Sequence, residues 1–309
     1  MWRYRYAFVC AIGALLACAV LLESNAAAAD PSTLPLIQFA DLIYTGAFRL
    51  PKESINGDSF TQSGTPMAYN PGRNSLFVGN RANHIAEVDI PAPVNSADVN
   101  ALPFAKFLQA FADPTEGNLF QVARDGVALS GIMVSGDKLY GAASIYYDAD
   151  NLQRVSHFSH STNLSQSSFM GMKQLWEFQK TGFVSGFMSA IPAEWQSLLG
   201  GTAISGQCCL PITWRTSQGP AAFAWNPAGF AAASPVPATP LLYYPYDHTT
   251  LGRWDSTNST YGGSTEIGGF AVLAGTRTVL YFGRNGTGAF CYGNGTGNAS
   301  LVGTIGPDN

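Results

Sequence analysis

Two carboxylates and one aromatic loop are the groups in this 309-residue sequence best suited to chemistry. Asp125 and Glu266 each stand just ahead of a glycine-bearing apolar run, DGVALSGIMV in one case and EIGGFAV in the other. If those runs are the innermost strands of separate sheets, the carboxylates meet at a common mouth. Their separation would then decide between direct nucleophilic attack and a water-mediated route of glycoside cleavage. Gln62, Ser63 and Gln218 hold the matching places in the other units. The plainer role for such residues is to cap a turn or to pair with a cation such as Arg124 or Arg277.

The second group is Tyr243, Tyr244, Tyr246, Asp247, His248, Arg253, Trp254 and Asp255. Aromatic faces beside Asp, His and Arg suit a polar ring, because the ring stacks while the polar groups orient it. Tyr246, Asp247, Arg253 and Trp254 are therefore the expected ligand contacts. His248 joins Asp125 and Glu266 as a candidate catalytic group, since imidazole titrates near neutrality. A surface loop packed by its own aromatics is the competing reading.

The remaining polar residues exclude more than they offer. His157 and His160, three apart at a strand end, should point to opposite faces, so no metal pair is expected and no metal ligand or cofactor is assigned. Asp148 and Asp150 read as turn formers without EF-hand spacing. The chain contains no G-x-S-x-G elbow, Walker A or dinucleotide fingerprint.

The start of the chain indicates the compartment. Arg3 and Arg5 precede the apolar run 7–22, and small residues follow up to Ala29, which predicts a signal peptide over 1–29 and a secreted domain, periplasmic or extracellular, over 30–309. Cleavage there would remove two arginines and Glu23, taking the formal charge from −4 to −5. There is no basic run, so no nucleic-acid partner is expected, and no later stretch reads as a membrane span. Cys10 and Cys18 fall in the leader. Cys208, Cys209 and Cys291 remain as disulfide candidates: the adjacent pair could close on itself, or one member could reach Cys291, and simple burial beside Leu210 and Pro211 competes with both.

The elements that must position these groups are hairpins. Charged residues make up only 12% of the chain against roughly 25% in ordinary soluble domains, and 33 glycines with 18 prolines favour strands and turns over helices. A glycine-led apolar run, a turn and a returning apolar run recur at 64–79, 131–142, from Gly219 and at 266–284. The pattern predicts an all-β, β-propeller-like domain with about four recognisable blade units. Leu102, Phe104, Phe107, Leu108 and Phe111 could share a helical face over 95–112, and 192–199 reads as a helical insertion outside the blades. Residues 231–240 read as an exposed connector, and 288–292 as an outer strand of the fourth unit. No closing strand is legible in 293–309, so either an incomplete five- or six-bladed propeller or a naturally short chain with a disordered tail over 293–309 is expected.

The segments GAFRLP, TPMAYNPGRNSLFVG, CCLPI and STEIGGF resemble those of a group of bacterial secreted β-propeller-like proteins without an established activity. The resemblance spans most of the chain after residue 29 and implies a fold and a compartment, with no catalytic residue. The expected function is binding of a polar extracellular ligand, a glycan first, with glycoside hydrolase or lyase activity as an extension. A non-catalytic scaffold and a metal-dependent, lactonase-like hydrolase are the alternatives.

Overall fold

The computed structural model describes residues 30–61, 66–209, 215–249 and 265–284. Over these residues the chain forms four antiparallel sheets of two to four strands, with one α-helix and several 3-10 turns. The first hairpin pairs β1 (Met67–Asn70) with β2 (Ser75–Gly79). Its turn is set by Asn70, whose Oδ1 accepts from Gly72 N at 3.1 Å, and by Asn74 at φ 49°, a left-handed conformation asparagine tolerates. β3 (Ile85–Asp89) and β4 (Phe107–Ala112) complete a meander in sequence order.

A buried carboxylate holds this first sheet. Glu87 Oε1 accepts from Asn70 Nδ2 at 2.9 Å and Ser75 Oγ at 2.5 Å, while Oε2 accepts from Arg73 at 2.8 Å and Gln109 Nε2 at 2.6 Å. Four donors, one of them charged, replace the water lost on burial.

The helix expected over 95–112 is not formed. A short 3-10 turn, Val99–Ala101, is followed by β4, which pairs Phe107 with Val88. Phe107 and Phe111 lie on one side of the strand and both pack on Phe60. A spacing of four satisfies a strand as well as a helix, and here the available sheet edge decided between them.

The second sheet is another meander: β5 (Val127–Ser135), β6 (Lys138–Ile145), β7 (His157–Ser161) and β8 (Met170–Lys173). Its strands are covered on both faces. Leu129, Ile132, Leu139 and Phe158 pack against Ala68, Phe77 and Ile85 of the first sheet, whereas Met133, Tyr140 and Ala142 pack against the third. That is why β6 reads KLYGAASI with little alternation.

The third sheet departs from the sequence expectation. It opens with β9 (Met188–Ala190), passes through α1 (Ala193–Leu199), and continues as β10 (Ala203–Ser205), β11 (Ala222–Trp225) and β12 (Ala238–Leu242). The segment after Gly219 is thus the third strand, not the leading one, and the helical turns lie within the unit. Part of the expected connector 231–240 is taken into β12. Strands of three residues are too short to show a period, so β9 and β10 left no readable signature. The helix joins this sheet to the next: Trp195 Nε1 donates to Thr276 O at 2.8 Å, and Glu194 Oε1 accepts from Gly275 N at 2.6 Å, which lowers the Glu194 pKa.

The fourth sheet is the hairpin β13 (Glu266–Val272) and β14 (Val279–Arg284), with a bulge between Ile267 and Gly269. Phe270 packs with Phe187 and Ile204 of the preceding unit. The N-terminal segment spans the two ends of this series. Arg277 N donates to Pro35 O at 3.0 Å and Ile37 N to Thr278 Oγ1 at 2.8 Å, after which Ala47 bridges Val94 and Arg49 bridges Phe104 beside the first sheet. No helix among the described residues is long and apolar enough to cross a membrane. The expected leader 1–29, the strand at 288–292 and the tail 293–309 lie outside the described residues.

Candidate functional site

The leading strands of successive sheets lie side by side, β1 against β5, β5 against β9 and β9 against β13. Close backbone approach makes this possible between β5 and β9, where a Cβ on Gly131 would overlap the carbonyl of Gly186; within the third unit, a Cβ on Gly186 would meet Gly206 O at 2.5 Å. Gly131 therefore sets the spacing between the second and third units.

Two adjoining cavities open where these strands converge. The larger, about 600 Å³, lies between Met67, Ser130, Phe187, Glu266, Phe282 and Arg284. The smaller, about 300 Å³, shares Ser130, Phe187, Glu266 and Arg284 and runs on to Gln207, Cys208 and Cys209. Together they give a funnel with a charged rim and partly apolar walls.

Its polar groups are held in place. Glu266 and Arg284 are register partners at the open end of the β13–β14 hairpin, with Oε2 and Nη2 3.5 Å apart. Ser130 Oγ donates to Ala142 O at 3.2 Å and also to Ser185 O. Ser185 Oγ donates to Gln207 Oε1 at 2.5 Å, and Gln207 lines the smaller cavity. Gly268 borders both cavities, and an added Cβ there would meet nothing within 4 Å. The lining thus includes an amide, a carboxylate and a guanidinium, with Phe187, Cys208 and Cys209 largely buried in its wall.

Set against protein-family models, curated proteins and solved structures, the chain matches none of them.

Of the carboxylates singled out from the sequence, Glu266 is on the rim of both cavities. Asp125 is exposed in the turn before β5 and lines neither of the two. Among the described residues lining them, Glu266 is the one carboxylate. His248 sits edge-on to Tyr244 with centroids 4.9 Å apart, Tyr246 is half-buried and Asp247 exposed, and none of these lines either cavity. Tyr243 turns inward to pack on Trp176, Phe183 and Phe223. Arg253, Trp254, Asp255, Gln62, Ser63 and Cys291 lie outside the described residues. Gln218 is buried, donating from Nε2 to Thr216 O at 3.2 Å, and its Oε1 has no partner among the described residues.

Cys208 and Cys209 are joined to each other as a disulfide. Cys208 bridges Ser217 on one side and Ile267 of β13 on the other, so the pair stands at the seam between the third and fourth units.

His157 and His160 both lie buried in the second sheet. His157 lies between Ser156 Oγ at 2.7 Å and Ser205 Oγ at 3.0 Å, and burial pushes its pKa down to about 3, which keeps it neutral. His160 faces the other way, with Nδ1 2.8 Å from Ser161 O and Nε2 3.5 Å from Glu116. Asp148 accepts from Leu152 N at 2.6 Å and Gln153 N at 3.0 Å, as a turn former does. Among the described residues no group of three or more His, Cys, Asp or Glu side chains could hold a metal ion.

Ser130, Gln207 and Arg284 were not legible as site residues in the sequence. Each is a polar residue within or beside an apolar run. The one usable signal was the isolated glutamine directly before the paired cysteines, in GQCCL.

Proposed function

We propose that the chain is a secreted, β-propeller-like protein whose funnel binds a neutral or weakly charged sugar. The ring reading is supported by the four units following one another around shared cores, with their leading strands innermost and the N-terminal segment reaching from the fourth sheet to the first. Secretion is supported by the leader-like N-terminus and agrees with the Cys208–Cys209 disulfide, because such bonds persist in oxidising compartments.

The observation that carries the ligand reading is the shared lining of the two cavities. Glu266 and Arg284 at the rim and the Gln207 amide inside supply acceptors and donors for hydroxyl groups, and Phe187 and the cysteine sulfurs supply apolar surface for a ring face. Binding is favoured over hydrolysis because the two-carboxylate mechanism needs a second acid within about 10 Å across the scissile bond. Among the described lining residues Glu266 stands alone.

A panel of soluble hexasaccharides built from glucose, xylose, N-acetylglucosamine and galacturonic acid, titrated calorimetrically into the protein, tests this. Saturable heat with at least one member that disappears in Glu266→Gln supports it. Absence of binding across the panel would leave the scaffold reading in its place.

A further inference from the structure

The geometry points to the Cys208–Cys209 disulfide as a ligand-contacting wall of the funnel, the platform on which the apolar face of a bound sugar ring lies. This rests on the reading of the funnel as a sugar site and adds to it the element that selects the ring.

Three observations carry the inference. The first is what the bond does for the chain. A disulfide stabilises mainly by constraining the unfolded state, and more so the longer the loop it closes. Cys208 and Cys209 are adjacent, so this bond closes the shortest loop available and contributes least as a staple.

The second is place. Both cysteines line the smaller cavity with Gln207, Thr216, Thr265 and Glu266, although each is largely buried by the protein around it. The joined sulfurs present a polarisable apolar surface that carries no charge and asks for no strong hydrogen bond. Free thiols at the same place would instead be two separate ionisable groups.

The third is support. Cys208 is fixed from both sides by its bridges to Ser217 and Ile267, and Ile267 N donates to Cys208 O at 3.4 Å. On the adjoining residue, Ser185 Oγ holds Gln207 Oε1, so an apolar plate and an oriented amide nitrogen stand next to one another on the same wall. A sugar needs that pairing: carbon-bound hydrogens on one face of the ring and hydroxyls at its edge.

The test uses the full secreted chain and the hexasaccharide that binds it most tightly in the panel above. Tris(carboxyethyl)phosphine reduces the bond by attacking one sulfur and expelling the other as a thiolate. Water then takes the phosphorus to the phosphine oxide and releases the second thiol, two electrons passing from phosphorus to sulfur. Saturating hexasaccharide is expected to slow this reduction about tenfold in the unmodified protein and to leave it unchanged in Glu266→Gln, where the sugar is not held. The Cys208→Ser/Cys209→Ser double variant is expected to bind about tenfold more weakly while keeping its melting temperature within a few degrees. Sugar binding with no protection and equal affinity in the double variant overturns the inference and leaves the sugar site standing. Failure of every hexasaccharide to bind removes both together. If the double variant does not fold, the protection measurement on the unmodified protein decides alone.

Discussion

Glu266 and Arg284 face one another as register partners at the end of the β13–β14 hairpin, 3.5 Å apart and each about two-thirds exposed, and both line the two adjoining cavities. A pair so exposed contributes about 1 kcal/mol or less to folding, because water and salt screen it and two long side chains must be ordered to make it. Glu266→Gln should therefore leave the urea midpoint nearly unchanged and abolish the sugar-binding heat. A variant that loses stability and binding in proportion would show the pair to be structural.

Two glycines near the funnel should respond in opposite ways. At Gly131 an added Cβ overlaps the Gly186 carbonyl, which belongs to backbone and has little room to yield, so Gly131→Ala should cost on the order of 1–3 kcal/mol. Gly268 has open space ahead of it, and Gly268→Leu should fill the cavity while changing stability by about 0.5 kcal/mol or less. Thermal melts and sugar titrations of both variants separate the cases. Unimpaired binding in Gly268→Leu would place the ligand elsewhere.

Glu87 is fully buried and receives four hydrogen bonds from Asn70, Arg73, Ser75 and Gln109. Truncation strands those donors inside the first sheet, so Glu87→Ala should destabilise by about 3–5 kcal/mol. Glu87→Gln keeps the shape but turns two acceptor positions into donors facing donors, and should fall between. Denaturant unfolding measures both, and a neutral Glu87→Ala would contradict the account of this sheet.

Acid should unfold the protein in two overlapping steps. His157 has its pKa pushed from 6.5 to about 3 by burial, so below pH 6.5 the unfolded chain binds a proton there that the folded chain refuses. Stability then falls as pH drops from 6.5 towards 3, by about 1.4 kcal/mol per pH unit. Glu116 is held near 2, against 4.5, first by the Ser167 hydroxyl and then by the Phe169 and Ser168 amides. The stability it adds is present above about 4.5 and is lost as pH falls from there towards 2. Urea midpoints across this range for the native chain and for His157→Gln test the assignment. The variant should lose the slope between pH 6.5 and 4.5, and parallel curves would refute it.

The sequence by itself determined the hairpins whose turn chemistry is local. Asn70 with Gly72, Gly136 with Asp137, and Gly275 each fix a reversal through their own side chain or backbone freedom, and the first, second and fourth units follow from them. The opposite orientation of His157 and His160 likewise follows from strand period alone. Only the tertiary structure decided that β9 leads the third unit, that 107–112 is a strand, and that Gln207 and Ser130 border the funnel. The physical reason is the same in each case. A three-residue strand, an i to i+4 aromatic pair and a single polar residue in an apolar run are compatible with several local conformations. What selects among them is the neighbouring sheet edge or core, which lies far away along the chain. Glu266 was visible in advance because it stands just ahead of a glycine-led apolar run. Its partnership with Arg284 needed the hairpin register to bring the two together.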